Sequence, residues 1–216
     1  IGEEILIQSP VYHVFSYFIE DNHRKVLDNE LVYENGGYKI DFEDLDEKLS
    51  RVNVMILCNP HNPVGKIWSR EDLDKIEDLC LKHDVTLISD EIHCDLTNPD
   101  VKYNPFRSAD NVIRCLSPSK SFNIAGFQSS IVQTQNLELL NKIKTGIHLD
   151  NSDSCNVFAT TAVIAAYNDS EDWFEELREV LYENKQIVDE FLTNELPIIK
   201  LVQCDATYLL WLDCSK

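Results

Sequence analysis

A chain of 216 residues, 44% of them hydrophobic, is long enough to bury one substantial core and to begin a second. Its 19 Lys and Arg stand against 38 Asp and Glu, a net charge of −19 that repels phosphate backbones and anionic lipid, so nucleic acid and membrane surfaces are poor candidate partners. No apolar run approaches the length that spans a bilayer, and no secretory signal opens the chain, so a cytoplasmic protein is expected. Seven cysteines without a CxxC, with Cys58 and Cys115 inside apolar runs, read as reduced core thiols rather than a disulfide framework. Cys58 with His61, and His93 with Cys94, lack the spacing of a structural zinc site.

In chain order, residues 4–8 read as a strand. Val32 and Tyr33, before the turn signal Asn35-Gly36-Gly37, suggest another strand, and 41–49 a short helix. The apolar runs 52–58, 85–89 and 112–116 are short and rich in β-branched residues, as expected of strands buried on both faces. Between the first two, residues 69–82 carry a serine cap, acids in the first turn and apolar residues at helical spacing. Strand, helix and strand at this spacing predict a right-handed crossover in an open, mostly parallel α/β sheet. From Glu171 an apolar stripe (Trp173, Leu177, Val180, Leu181, Ile187, Val188, Phe191, Leu192) predicts a long helix ended by Pro197, its stripe read as core. The run 208–212 is expected to open a second layer or domain. The domain border is placed near residue 167, and both ends of the chain look cut, so a fragment of a longer protein is expected.

In open parallel sheets ligands bind beyond the carboxyl ends of the strands, and polar clusters follow each of the three central runs. They are Asn59-Pro60-His61-Asn62-Pro63-Val64-Gly65, Asp90-Glu91-Ile92-His93-Cys94-Asp95 and Ser117-Pro118-Ser119-Lys120-Ser121-Phe122-Asn123. Only six glycines occur, with neither a dinucleotide nor a nucleoside-triphosphate loop, and no GxSxG elbow supports a serine hydrolase around Ser119-Lys120. Asp90, Glu91, His93 and Asp95 offer metal donors, but Asp90 and His93 converge only if the chain turns directly after Asp90. Pyridoxal 5'-phosphate accounts for all three clusters at once. It needs a lysine amine for its aldehyde, a carboxylate for its pyridine nitrogen and donors for its phenolate and phosphate oxygens. Lys120, Asp90 and Asn62 fit those needs.

These clusters resemble, in order, the NPxNPxG, (S)DE and SxxK motifs of the fold-type I pyridoxal-phosphate enzymes, the class I/II aminotransferase superfamily, and the likeness runs over nearly the whole chain. Pro10-Val11-Tyr12, His61, the 90–95 block, residues 119–126, Ala165-Ala166-Tyr167 with Trp173, and Thr207-Tyr208-Leu209-Leu210-Trp211-Leu212-Asp213 are similar to its cystathionine β-lyase, or carbon–sulfur lyase, branch. The resemblance implies a three-layer α/β/α large domain over residues 1–167, incomplete at its N-terminus. Residues 168–216 would then supply the interdomain helix and the first part of a smaller α+β C-terminal domain. It implies Lys120 as the cofactor-binding and catalytic lysine, Asp90 on the pyridinium nitrogen, Asn62 on the phenolate, Tyr12 stacked on the ring, and Ser117 and, more weakly, Ser119 at the phosphate. His93 stands where most aminotransferases carry a tyrosine, and Gln128 where they carry a phosphate-binding arginine. The upstream phosphate turn and the downstream carboxylate-binding arginine fall outside the chain.

The activity implied is β-elimination from a sulfur-containing amino acid, giving thiol, pyruvate and ammonia, by a homodimer with sites at the subunit interface. Transfer of the amino group to a 2-oxo acid is the alternative. A non-catalytic binding or regulatory module, and a metal-dependent hydrolase at His93 and its neighbours, are readings from other classes.

Overall fold

The computed structural model describes residues 2–215. Along the chain lie β1 (Glu4–Ile7), α1 (Val14–Asp21), β2 (Lys25–Asp28), β3 (Val32–Glu34), β4 (Gly37–Lys39), α2 (Phe42–Leu49), β5 (Val54–Cys58) and α3 (Arg70–Lys82). These are followed by β6 (Thr86–Asp90), β7 (Val112–Leu116), β8 (Ile131–Gln133), α4 (Leu137–Leu149), α5 (Ala159–Asp169), α6 (Glu171–Glu195), β9 (Lys200–Leu201) and β10 (Leu212–Asp213). Six strands form one sheet in the order β2-β1-β5-β6-β7-β8, parallel except where β8 runs antiparallel to β7. The expected open, mostly parallel α/β sheet is therefore the observed one. From β1 the chain passes outward to β2 and later returns on the other side as β5. The crevice at the carboxyl ends of β1 and β5 is thus a topological switch point.

The central strands form for the reasons their composition gives. Met55, Leu57 and Leu87 are wholly or almost wholly buried, and α3 lays Leu73, Ile76 and Cys80, each 0% exposed, against them. Ser69 and Asp72 close a reciprocal capping box at the start of α3, and Asp41 caps α2 through the amides of Glu43 and Asp44. Truncating Leu73 to alanine would cost about 2–5 kcal/mol in such a site.

Elsewhere the structure gives the expectations a more particular form. Val32 and Tyr33 belong to a separate antiparallel hairpin, β3 with β4, and not to the main sheet. β7 is buried only at Val112 and Ile113, because Arg114 in its second half pairs with Glu91. Along 208–212 only Leu212 enters a strand; beside it Trp211 O accepts Val202 N (2.9 Å), while upstream Thr207, at φ +68°, donates its amide to Leu96 O (2.7 Å). The long helix is present, but Trp173, Val180, Ile187 and Phe191 of its stripe are exposed, and its buried positions are Lys185 and Leu192. Residue 167 lies inside α5, and the helical path breaks at Ser170. All seven cysteines are free thiols; Cys58 and Cys80 are core, whereas Cys155 and Cys214 are exposed.

Candidate active site

Four strand ends deliver the polar clusters to one place. After β5, His61 N bonds to Lys66 O (2.7 Å) and Gly65 N to His61 O (2.7 Å), closing a tight loop that presents Asn62. The buried His61 ring donates from Nε2 to Pro10 O (2.9 Å), which ties this loop to the segment after β1 that carries Tyr12. Asn59, also buried, holds the loop from beneath: its Nδ2 donates to Asn104 O (2.8 Å), and its Oδ1 accepts from Trp68 N (3.3 Å).

β6 ends at Asp90 and the chain turns at once, so Asp90 and His93 do converge on the same cavity. Among the described residues no group of three His, Cys, Asp or Glu side chains gathers in an arrangement that would hold a metal ion. Strand alternation sends Glu91 to the other side. There Glu91, with no exposed side-chain surface, takes a bidentate bond from Arg114 (2.7 and 2.6 Å), and the Tyr103 hydroxyl donates to it at 2.5 Å. That hydroxyl also lies 3.0 Å from Asn59 O, so one buried network joins the ends of β5, β6 and β7.

On the cavity side, Asp90 accepts one bond from Ile92 N (3.1 Å). Burial raises its pKa; the Ile92 amide and the Lys120 charge oppose the rise, while neighbouring Glu91 adds to it. His93 is 2% exposed, its Nδ1 has no partner, and burial, helped by the Lys120 charge, lowers its pKa to about 4. At neutral pH it is an uncharged imidazole with a free ring nitrogen.

After β7, the Ser117 hydroxyl donates to Ser129 O (2.6 Å) and accepts from Ser119 N (3.1 Å), which shapes the turn that carries Lys120. The next residues are pinned outward. Ser121 Oγ donates to Asp95 (3.0 Å), and the Phe122 ring packs on Tyr167 of α5 and on Trp173 and Phe174 of α6.

The resulting cavity, about 510 Å³, has Tyr12, Asn62, Asp90, His93, Ser119 and Lys120 on its wall. Ser117 is not on that wall. Gln128 ends a short 3-10 turn with φ +52° and is not there either. Sequence reasoning assigned no site role to His13, Ile92, Tyr208 or Leu209, which also line it. The signal for Tyr208 was its place in the 207–213 stretch; its ring meets His93 edge-on at 5.7 Å.

The donor set suits pyridoxal phosphate. One cavity within the roughly 300–1,000 Å³ usual for small ligands holds an amine, a carboxylate with a single backbone donor, and an orphaned buried ring nitrogen. The family model for aminotransferase class I and II matches residues 1–216. The chain belongs to that family. It is 44% identical to cystathionine beta-lyase PatB of Bacillus subtilis (strain 168), over 99% of this chain and 57% of that protein. It superposes on cystalysin of Treponema denticola, described as containing a pyridoxal 5'-phosphate cofactor, with TM-score 0.95 and 33% identity, over 98% of this chain and 56% of the other. The PLP-bound C-S lyase of Staphylococcus hominis matches with TM-score 0.92 and 34% identity, over 98% and 55%. The chain thus spans a little over half the length of these family members.

Proposed function

We propose that the whole protein is a pyridoxal-phosphate-dependent carbon–sulfur β-lyase that splits a sulfur amino acid into a thiol, pyruvate and ammonia. The observation that carries this reading is the meeting of Lys120, Asp90, Asn62 and Tyr12 in one cavity at four strand ends, in a chain 44% identical to a cystathionine β-lyase. When bound, the cofactor supplies an electron sink for the bond broken at the substrate's Cα. Lys120 would hold it covalently through Nζ, and the same nitrogen, once displaced by the substrate amine, would move the Cα proton. Asp90 would pair with the pyridine nitrogen and keep a proton on it. Asn62 would donate to the phenolate oxygen, and the Tyr12 ring would pack against the cofactor ring. His93, uncharged, offers a ring nitrogen where aminotransferases carry a tyrosine. Ser119 would give its hydroxyl to the phosphate, whereas Ser117 would donate to it only by giving up the Ser129 carbonyl. The full-length protein is read as a cytoplasmic homodimer, with its domain border near residue 167, close to the break between α5 and α6 at Ser170.

The test uses the full-length protein with added pyridoxal phosphate. A visible absorption band that borohydride abolishes and that Lys120→Ala lacks is expected. Cystathionine alone should then yield pyruvate without a 2-oxo acid acceptor. Amino transfer that depends on such an acceptor, with no pyruvate in its absence, would make the protein an aminotransferase, and absence of the band would overturn the cofactor.

A further inference from the structure

Positions 174, 178, 181, 185, 188 and 192 form one stripe along α6, and two of them, Arg178 and Lys185, are cationic. Lys185 is 6% exposed, and its hydrogen-bond partners are both neutral: Asn98 Oδ1 (2.7 Å) and Ala206 O (3.3 Å). A buried ammonium without a bonded carboxylate costs free energy, and burial accordingly lowers its pKa, with Cys204 and Asp205 opposing. An apolar side chain would pack at this position without that cost, so the hydrogen bonds are where its value lies.

They converge on residues 204–207. Asn98 N donates to Asp205 O (2.8 Å) and Asn98 Nδ2 to Cys204 O (2.8 Å). Arg178, two turns before Lys185, donates to Thr97 O (3.0 Å), Thr97 Oγ1 (2.9 Å) and Asn98 O (3.1 Å), fixing the loop on which Asn98 sits. Thr207 N reaches Leu96 O on the same loop. The next residue is Tyr208, whose ring stands edge-on to His93 in the cavity of Lys120.

We infer that Lys185 is a positioning residue of the proposed active site: it latches residues 204–207 to the 96–98 loop and through them fixes Tyr208 against His93. The latch rests on the functional reading above only for its catalytic consequence. Because Lys185 reaches its partners by a long, flexible stem, methionine can fill the same space while removing every donor.

The experiment is a double-mutant cycle on the full-length holoenzyme with Lys185→Met and Tyr208→Ala, read in kcat and KM for cystathionine and in the Kd of the apoprotein for pyridoxal phosphate. Loss of a charge-assisted bond is expected to raise KM about tenfold with kcat nearly unchanged. The double variant should be no worse than Tyr208→Ala alone. Additive effects, or a Lys185→Met protein indistinguishable from the parent, would overturn the inference. Should Lys185→Met fail to fold, Asn98→Ser removes the shared acceptor and takes its place in the cycle. Hydrogen exchange on the apoprotein is the second readout: Lys185→Met should speed exchange at Ala206 and Thr207 and leave β5 unchanged. If the parent protein binds no cofactor, the functional reading fails and the exchange result alone decides the latch.

Discussion

The carbonyl oxygen of Gly65 accepts the amides of Asp205 (2.8 Å) and Ala206 (2.9 Å), and a Cβ built on Gly65 would fall 2.6 Å from Ala206 O. Gly65 also sits at φ +71°. The glycine that closes the asparagine-proline loop therefore answers two demands, a left-handed backbone and a chain passing too close for any side chain. Gly65→Ala should lose more than about 2 kcal/mol in urea unfolding, since the left-handed conformation alone costs roughly 1–3 kcal/mol and the clash is with backbone. Gly146, within α4 and with nothing inside 4 Å of a built Cβ, is the contrasting case. Gly146→Ala should gain about 0.5–1 kcal/mol through helix propensity.

The buried Glu91–Arg114 pair gives a second expectation. Removing one partner leaves a charge uncompensated and costs about 3–5 kcal/mol, whereas removing both leaves none. Glu91→Gln and Arg114→Met should each destabilise strongly, and the double variant should be less destabilised than the two effects added, by at least about 1 kcal/mol in denaturant titration. Simple additivity would mean that the carboxylate is satisfied by Tyr103 rather than by the guanidinium.

His61 sets an acid limit. Burial lowers its pKa to about 4, against 6.5 for a free imidazole, while the bond to Pro10 opposes the shift. The unfolded ring takes up a proton below 6.5, and the folded one holds out to about 4. The stability linked to this group is therefore complete above pH 6.5 and is lost as pH falls towards 4, by up to roughly 3 kcal/mol. In apoprotein melting curves between pH 7.5 and 4.5, His61→Gln should show a shallower decline than the parent. Parallel curves would place the acid sensitivity elsewhere, because the many carboxylates are common to both proteins.

What the sequence made legible follows from which forces are local. Runs 52–58, 85–89 and 112–116 became β5, β6 and β7, and the capped segment 69–82 became α3, because apolar periodicity and caps act within a few residues. Tyr12, Asn62, Asp90, His93, Ser119 and Lys120 meet on one cavity wall because strand ends in a parallel sheet must converge. β8, three residues long, carries no such periodicity, and its antiparallel pairing with β7 depends on where the Ser117 turn returns the chain. Lys185 was invisible for a different reason. Its partners lie on residues 98 and 206, and a lysine within a charged helix looks solvated until those partners are known. Ser117 is a different case: the family resemblance implied a phosphate contact for it, and its hydroxyl here donates to Ser129 O.

Asp90 offers the sharpest test of the site, because activity and stability should move in opposite directions. Burial raises its carboxyl pKa, so the folded apoprotein holds that proton more readily than the unfolded chain does. As pH rises from the ordinary carboxylate range through the raised value, ionising Asp90 takes stability away. Asp90→Asn removes the penalty and keeps the acceptor for the Ile92 amide, so the apoprotein should melt no lower than the parent. The same change removes the charge that would keep a proton on the pyridine nitrogen. kcat for pyruvate release by the full-length enzyme should therefore fall by at least about 100-fold, the scale of losing one preorganised electrostatic partner. A variant that lost stability and activity together would point to a structural carboxylate. One that kept activity within a few-fold of the parent would remove Asp90 from the cofactor's nitrogen, while leaving Lys120 in place as its anchor.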